Sequence, residues 1–147
     1  MSEMKKYIMC HVVEAKPMTR DDHDPHENGY FVRFPDGPGS WCPKDSFEKA
    51  ARPIDGMTFG LALEAMKQGK KVSRKGWNGK GMYLWLLPAT DVKKEWCHDD
   101  RLIEAMGDRE TLPCLGTIRM FTATKEVLTG WLASQTDMLS EDWCIVE

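Results

Sequence analysis

A chain of 147 residues with 29% charged and 41% apolar side chains can form one ordinary domain or a small module joined to a larger one, and it is too apolar to be disordered. No run approaches the roughly 18 apolar residues of a membrane span, and the start of the chain lacks the apolar stretch of a secretory signal, so the expected location is the cytoplasm. The net charge of −3 excludes coating of nucleic acid by bulk attraction, while leaving room for a local basic site.

In chain order, residues 7–15 are rich in β-formers and read as a strand that Lys16-Pro17 ends, because proline cannot donate to a ladder. Residues 19–29 are polar and turn-forming. A second strand is expected over 30–34, a turn over 35–39, a return strand over 40–42, and a short helix over 43–51 with Pro43 in its first turn. These elements make a β-rich module of residues 1–52, and the turn chemistry of residues 52–56 marks a boundary.

After it, Thr58 can cap a helix over 59–68 whose Phe59, Leu63 and Met66 share a face, with Gly69 placed for a left-handed ending. A strand over 71–74, a glycine-rich turn over 76–81 and an apolar strand over 82–87 read as a hairpin. Residues 89–116 interrupt the pattern, with a helix expected near 100–106. Strands follow over 117–124 and 126–128, then a helical turn that Ser134 caps with Asp137 three residues on, and a last strand over 143–146. The fold class expected is α+β: the small β-rich module, then an antiparallel sheet domain over 57–147 packed by one main helix.

Five cysteines, widely scattered and without a CxxC, point to reduced thiols and not to a disulfide framework. His23, His26, Cys10-His11 and Cys97-His98 lack the spacing of a zinc site, so no metal is expected. A Walker motif, a GxSxG elbow and a dinucleotide fingerprint are all missing, which favours binding over catalysis and implies no cofactor.

One stretch concentrates charge. Lys67, Lys70, Lys71, Arg74, Lys75 and Lys80 lie in a segment with no acidic residue between positions 65 and 90. It coincides with the turn Gly76-Trp77-Asn78-Gly79-Lys80-Gly81, where bare backbone amides can approach a phosphate. Trp77 can stack a base and Asn78 can read a base edge or a ribose hydroxyl. The same residues also read as a solvated helix end, a core tryptophan and a common hairpin dipeptide, and sequence leaves both readings open. Ser134, Gln135, Thr136 and Asp137 form a second polar group at a helix start, suited either to an anion and ribose hydroxyls or to plain capping.

Met57-Thr58-Phe59-Gly60, the run from Lys70 to Met82, and Trp131 to Leu139 with Asp142-Trp143 together resemble the family of domain-of-unknown-function 2829, which includes the Thoeris anti-defence proteins of the second type. The resemblance covers residues 57–147. It implies a phage or prophage sponge that acts in an infected or lysogenic bacterial host, holding glycocyclic ADP-ribose signals without cleaving them. It also implies a homo-oligomer, often a tetramer, with pockets at subunit contacts, and some members accept other cyclic nucleotides. By position it assigns Arg74, Trp77, Asn78, Gly79, Lys80 and Met82 to one ligand wall and Ser134, Gln135, Thr136 and Asp137 to the other. No membrane or nucleic-acid partner is expected. The alternatives are a phosphodiesterase using His11, His98 or Asp137, and a phage interaction or single-strand-binding module that presents residues 67–80. Residues 1–52 lie outside the resemblance, and residues 89–116 read as an insertion able to reshape the pocket.

Overall fold

The computed structural model describes residues 4–7, 9–21 and 27–147; His23 and His26 lie outside the described residues. Strands β1 (Glu14–Arg20), β2 (Glu27–Arg33) and β3 (Gly39–Pro43) form a three-stranded antiparallel sheet in that order. Helix α1 (Lys44–Ala50) follows, with Pro43 as its N-cap instead of a first-turn residue. It packs on β2, where Phe47 stacks on Tyr30 at 4.4 Å between centroids and the Tyr30 hydroxyl donates to Glu48 at 2.9 Å.

The first strand departs from expectation. It runs through Pro17 instead of stopping at it, and the described part of residues 7–13 is not a strand. The reason is position: β1 is the edge of its sheet, where a residue without an N–H costs no ladder bond. Pro17 sits opposite Tyr30, and the register continues to Arg20 opposite Glu27, so cross-strand pairing outweighs the local preference of residues 7–13. The polar connection expected over 19–29 is correspondingly shorter.

The second half is built on helix α2 (Phe59–Lys67), β4 (Lys71–Arg74) and β5 (Tyr83–Leu87). The Thr58 hydroxyl accepts from the Leu61 N–H, and Gly69 takes φ +84°, so both helix ends are as the sequence predicts. After a small arm come β8 (Thr117–Phe121), β9 (Val127–Thr129), α4 (Gln135–Leu139) and β10 (Trp143–Val146). The arm consists of β6 (Thr90–Lys93), a 3-10 turn at Lys94–Trp96, α3 (Asp100–Met106) and β7 (Thr111–Cys114), with β6 and β7 paired antiparallel. It is a folded unit that buries Met106, where the sequence showed only the helix.

The five-stranded antiparallel sheet has the order β10-β4-β5-β8-β9. One face meets α2: Ala62, Ala65 and Met66 of the helix bury against Val72, Leu84, Met120 and Trp143. Met57 and Trp143 exchange both backbone hydrogen bonds, at 2.7 and 3.1 Å, which ties the entry to α2 to the last strand. Because β10 and β4 lie side by side, the C-terminal segment is carried directly to the glycine-rich turn. No helix among the described residues is long and apolar enough to cross a membrane.

Candidate functional site

The site grows from the β4–β5 connection. Arg74 ends β4 opposite Trp143, and the chain then turns through residues 75–82. Gly81 takes φ +75°, a conformation that favours glycine, and at Gly79 a Cβ would come within 2.2 Å of the Met82 sulfur. Ser73 fastens the turn by donating to the Met82 carbonyl at 2.7 Å. Within it Asn78 and Lys80 are exposed and Trp77 is half-buried.

On the other side, Ser134 and Asp137 form a reciprocal capping box at the start of α4. The Asp137 N–H donates to the Ser134 hydroxyl at 3.1 Å, while the Ser134 N–H and hydroxyl donate to Asp137 Oδ2 at 3.1 and 2.7 Å. Ser134, Gln135 and Thr136 keep exposed side chains, whereas Asp137 is buried at 9%.

The two walls are joined by one charged cluster. Arg74 Nη1 donates to Asp137 Oδ1 at 2.8 Å, Arg74 Nε donates to Asp142 Oδ1 at 2.9 Å, and the Trp77 indole N–H donates to Asp137 Oδ1 at 3.0 Å. Asp142 also accepts from the Gly76 N–H at 2.7 Å, so the bare amide at the head of the turn already cradles a carboxylate. The Arg74 and Asp137 side chains are only 10% and 12% exposed. Beneath them, Trp77 meets Trp131 and Trp143 edge-to-face at 6.1 and 5.4 Å, and the Trp143 indole N–H donates to the Asp137 carbonyl at 2.9 Å.

These contacts set the charges. Hydrogen bonding to Asp142 is the largest influence on Arg74 and raises its pKa above the ordinary value. The Arg74 guanidinium likewise lowers Asp142. Burial pushes the Asp137 carboxyl up, but hydrogen bonds from Arg74, Trp77 and Ser134 together outweigh it and hold the group at about 2. A carboxyl depressed in the folded state contributes stability that is present above its unfolded pKa near 4 and is lost as pH falls through the folded value. Acid titration of folding should therefore show about 2 kcal/mol lost between pH 4 and 2 that an Asp137→Asn variant no longer loses. A variant with the same acid limb as the native chain would remove this account.

Where the predicted residues fall is now plain. The turn brings Trp77, Asn78, Gly79, Lys80 and Met82 together, and the charged cluster joins them to Ser134 and Asp137 at the head of α4, with Gln135 and Thr136 beside them. Three of the six cations of the basic stretch, however, are answered by acids outside it: Lys67 pairs with Glu64, Lys75 with Asp55, and Arg74 with Asp137 and Asp142. Within the turn, Lys80 is exposed, as is Lys75 in its pair with Asp55. The sequence reading gave no site role to Asp142, Trp131 or Trp143. Two clefts of about 250 and 350 Å³ are lined by residues of positions 12–37, none of them in this cluster.

As a chemical unit the cluster presents polar groups on a rigid aromatic base, with its carboxylates spent on internal bonds. A carboxylate at about 2 is a weak base, so Asp137 is poorly placed for proton abstraction at neutral pH. His11 lies beside Phe34, with centroids 5.8 Å apart, in the N-terminal part of the chain.

Comparison with known proteins identifies the family of the second half of the chain. Residues 57–146 match the Tad2-like family, described as a Thoeris anti-defense 2-like domain. The chain is 38% identical over 90 residues to Thoeris anti-defense 2 of Bacillus phage SP01, an alignment covering 61% of this chain and 94% of that protein. The family match spans both walls, Asp142 and residues 89–116. The chain belongs to the Thoeris anti-defense 2-like family through residues 57–146.

Proposed function

We propose that this protein is a phage anti-defence factor that disarms Thoeris immunity by binding a glycocyclic ADP-ribose signal and holding it uncleaved. The observation that carries the reading is the junction of the two walls: Asn78 and Lys80 on the turn, and Ser134, Gln135 and Thr136 on α4, flank one cluster held together by Arg74 and Asp137. Family membership and the anti-defence name of the phage relative support the same role. In this reading Lys80 and the amides of the turn beyond Gly76 take the diphosphate, the Trp77 edge and Met82 sulfur meet the base, and the Thr136 hydroxyl and Gln135 amide of α4 take ribose. The rigid cluster keeps these groups in place, so little ordering entropy opposes binding.

Sequestration demands nanomolar affinity, about −12 kcal/mol, which requires enclosing most of the ligand. We therefore place the working protein as a homo-oligomer, a tetramer, in the host cytoplasm, with a second copy closing each site. Residues 1–52 act as a separate module. The spent carboxylates favour holding over hydrolysis.

Calorimetry with purified glycocyclic ADP-ribose, followed by heat denaturation and analysis of the released molecule, tests both parts. Tight binding with intact ligand returned is expected. Silence at micromolar protein defeats the binding claim, and fragments make the protein a phosphodiesterase. Lys80→Ala should weaken affinity by about tenfold or more, the loss of one charge-assisted phosphate contact. Because Lys80 is exposed, its unfolding free energy should stay within about 0.5 kcal/mol of the native value. Undiminished affinity would take Lys80 out of the site.

A further inference from the structure

The three-stranded sheet of the N-terminal module has one covered face and one open face. Helix α1 covers the face of Tyr30 and Val32: Phe47 stacks on Tyr30, and Val32 is 6% exposed. Strand alternation puts Lys16, Met18, Arg20, Phe31, Arg33 and Trp41 on the other face. There Lys16, Met18 and Arg33 stay exposed, and both rings are half-buried. Along the chain these residues are scattered from position 16 to 41, and only the pairing of three strands gathers them.

Two glycines seat the rings. Phe31 and Trp41 are direct partners on β2 and β3, with Gly29 two residues before Phe31 and Gly39 two residues before Trp41. A Cβ at Gly39 would come within 2.0 Å of the Phe31 ring, and one at Gly29 within 2.6 Å of the Trp41 ring. Each ring therefore crosses diagonally to the neighbouring strand and rests on a residue without a side chain. The Trp41 indole N–H reaches on to the Met18 carbonyl of β1, to which it donates at 3.2 Å. Each ring also has its own cation: Lys16 Nζ lies 5.9 Å from the Phe31 centroid and Arg20 Cζ lies 5.4 Å from the Trp41 centroid. Beside Phe31 the face opens into the two clefts of about 250 and 350 Å³, which share Glu14 and Arg33, the smaller also being lined by Lys16 and Phe31.

We propose that this face binds single-stranded nucleic acid, with bases stacked on Phe31 and Trp41 and phosphates paired with Lys16, Arg20 and Arg33. Two separate aromatic platforms, each with a cation beside it, call for a ligand that repeats base and phosphate; a mononucleotide would use only one of them. A duplex hides the base faces that the rings would meet. An acidic peptide would satisfy the cations and leave the rings unused. The surplus of positive charge is small, because Glu14 bonds to Arg33 and Glu27 stands opposite Arg20, so stacking and not bulk attraction carries the binding. The inference concerns β1 to β3 and draws nothing from the C-terminal site.

Fluorescence anisotropy of the full chain with a labelled oligothymidylate of about 12 nucleotides tests it, since sheet and OB-type surfaces of this kind cover a few to some 16 nucleotides. Micromolar binding is expected, weakened roughly 20-fold between 50 and 200 mM salt by a slope of about −0.7 for each of three phosphates. The corresponding duplex and thymidine monophosphate should each bind at least tenfold more weakly than the single strand. Phe31→Ala and Trp41→Ala should each cost about fivefold or more, the loss of one stacked base. Lys16→Glu should cost about tenfold and keeps the fold because Lys16 is exposed, so it decides the matter if circular dichroism shows either ring variant unfolded. Absence of binding overturns the inference, as does equal affinity for duplex or for polyglutamate, or binding that survives Lys16→Glu. Loss of the oligonucleotide on Lys80→Ala, with Lys16→Glu silent, would place it on the C-terminal turn and also overturns the inference.

Discussion

Replacing Asp137 with alanine should lower the unfolding free energy by about 3–5 kcal/mol and, on the proposed function, abolish ligand retention, the larger part of the stability loss coming from the groups left behind. Arg74, only 10% exposed, would keep Asp142 but lose the carboxylate that faces its Nη1. The Trp77 indole N–H would lose its acceptor, as would the Ser134 N–H. Arg74 is the most buried of these donors, so its loss counts closest to the full desolvation cost, while water can reach part of Trp77 and Ser134. Asp137→Asn preserves the shape and one acceptor oxygen, and should cost roughly half as much. Urea denaturation with an unchanged m-value measures both. A cost under about 1 kcal/mol for the alanine variant would mean that the cluster is loosely held and does not brace the two walls.

The sequence announces those parts of the fold whose signal is local. Thr58 and Gly69 bracket α2, the capping pair Ser134 and Asp137 marks α4, and α3 stands out within an otherwise unreadable stretch. The strands β6 and β7 were invisible because their pairing joins distant segments and one of them contains Pro113, which argues locally against a strand. The same physics moved β1. The β-formers of residues 9–13 have no partner strand, while the polar Glu14–Arg20 gains one in β2. Propensity proposes a strand, and pairing decides where it lies.

The site divides along the same line. Its turn and its cap were readable, since glycines, Asn78 and the Ser134–Asp137 spacing are short-range features. Its electrostatics were not. A run without acidic residues suggests free cations, yet Arg74 meets carboxylates 63 and 68 positions away, brought to it by the β10–β4 pairing. The one clue available was order: once the last strand is laid antiparallel beside β4 with Trp143 opposite Arg74, Asp142 must fall next to the start of the turn. Charge counted along a chain therefore overstates an anion site wherever a sheet neighbour supplies acids.

Trp143→Ala should be as damaging as the loss of Asp137, at about 3–5 kcal/mol, and by a different route. Its side chain is fully buried, with 0% exposure, and its ring lies 5.2 Å from Phe59, 5.4 Å from Trp77 and 6.3 Å from Trp131. Truncation leaves a cavity between α2 and the sheet and also frees the Asp137 carbonyl, which the indole N–H binds at 2.9 Å. Trp143→Phe separates the two effects: it keeps most of the apolar volume and loses the hydrogen bond, so a cost of about 1–2 kcal/mol is expected. Because the same indole supports both Trp77 and the head of α4, hydrogen exchange should quicken at both walls in the alanine variant, while the arm around α3 keeps its protection. Faster exchange confined to β10 alone would show that the walls are braced independently, and the proposed ligand surface would then have to be sought on one wall instead of two.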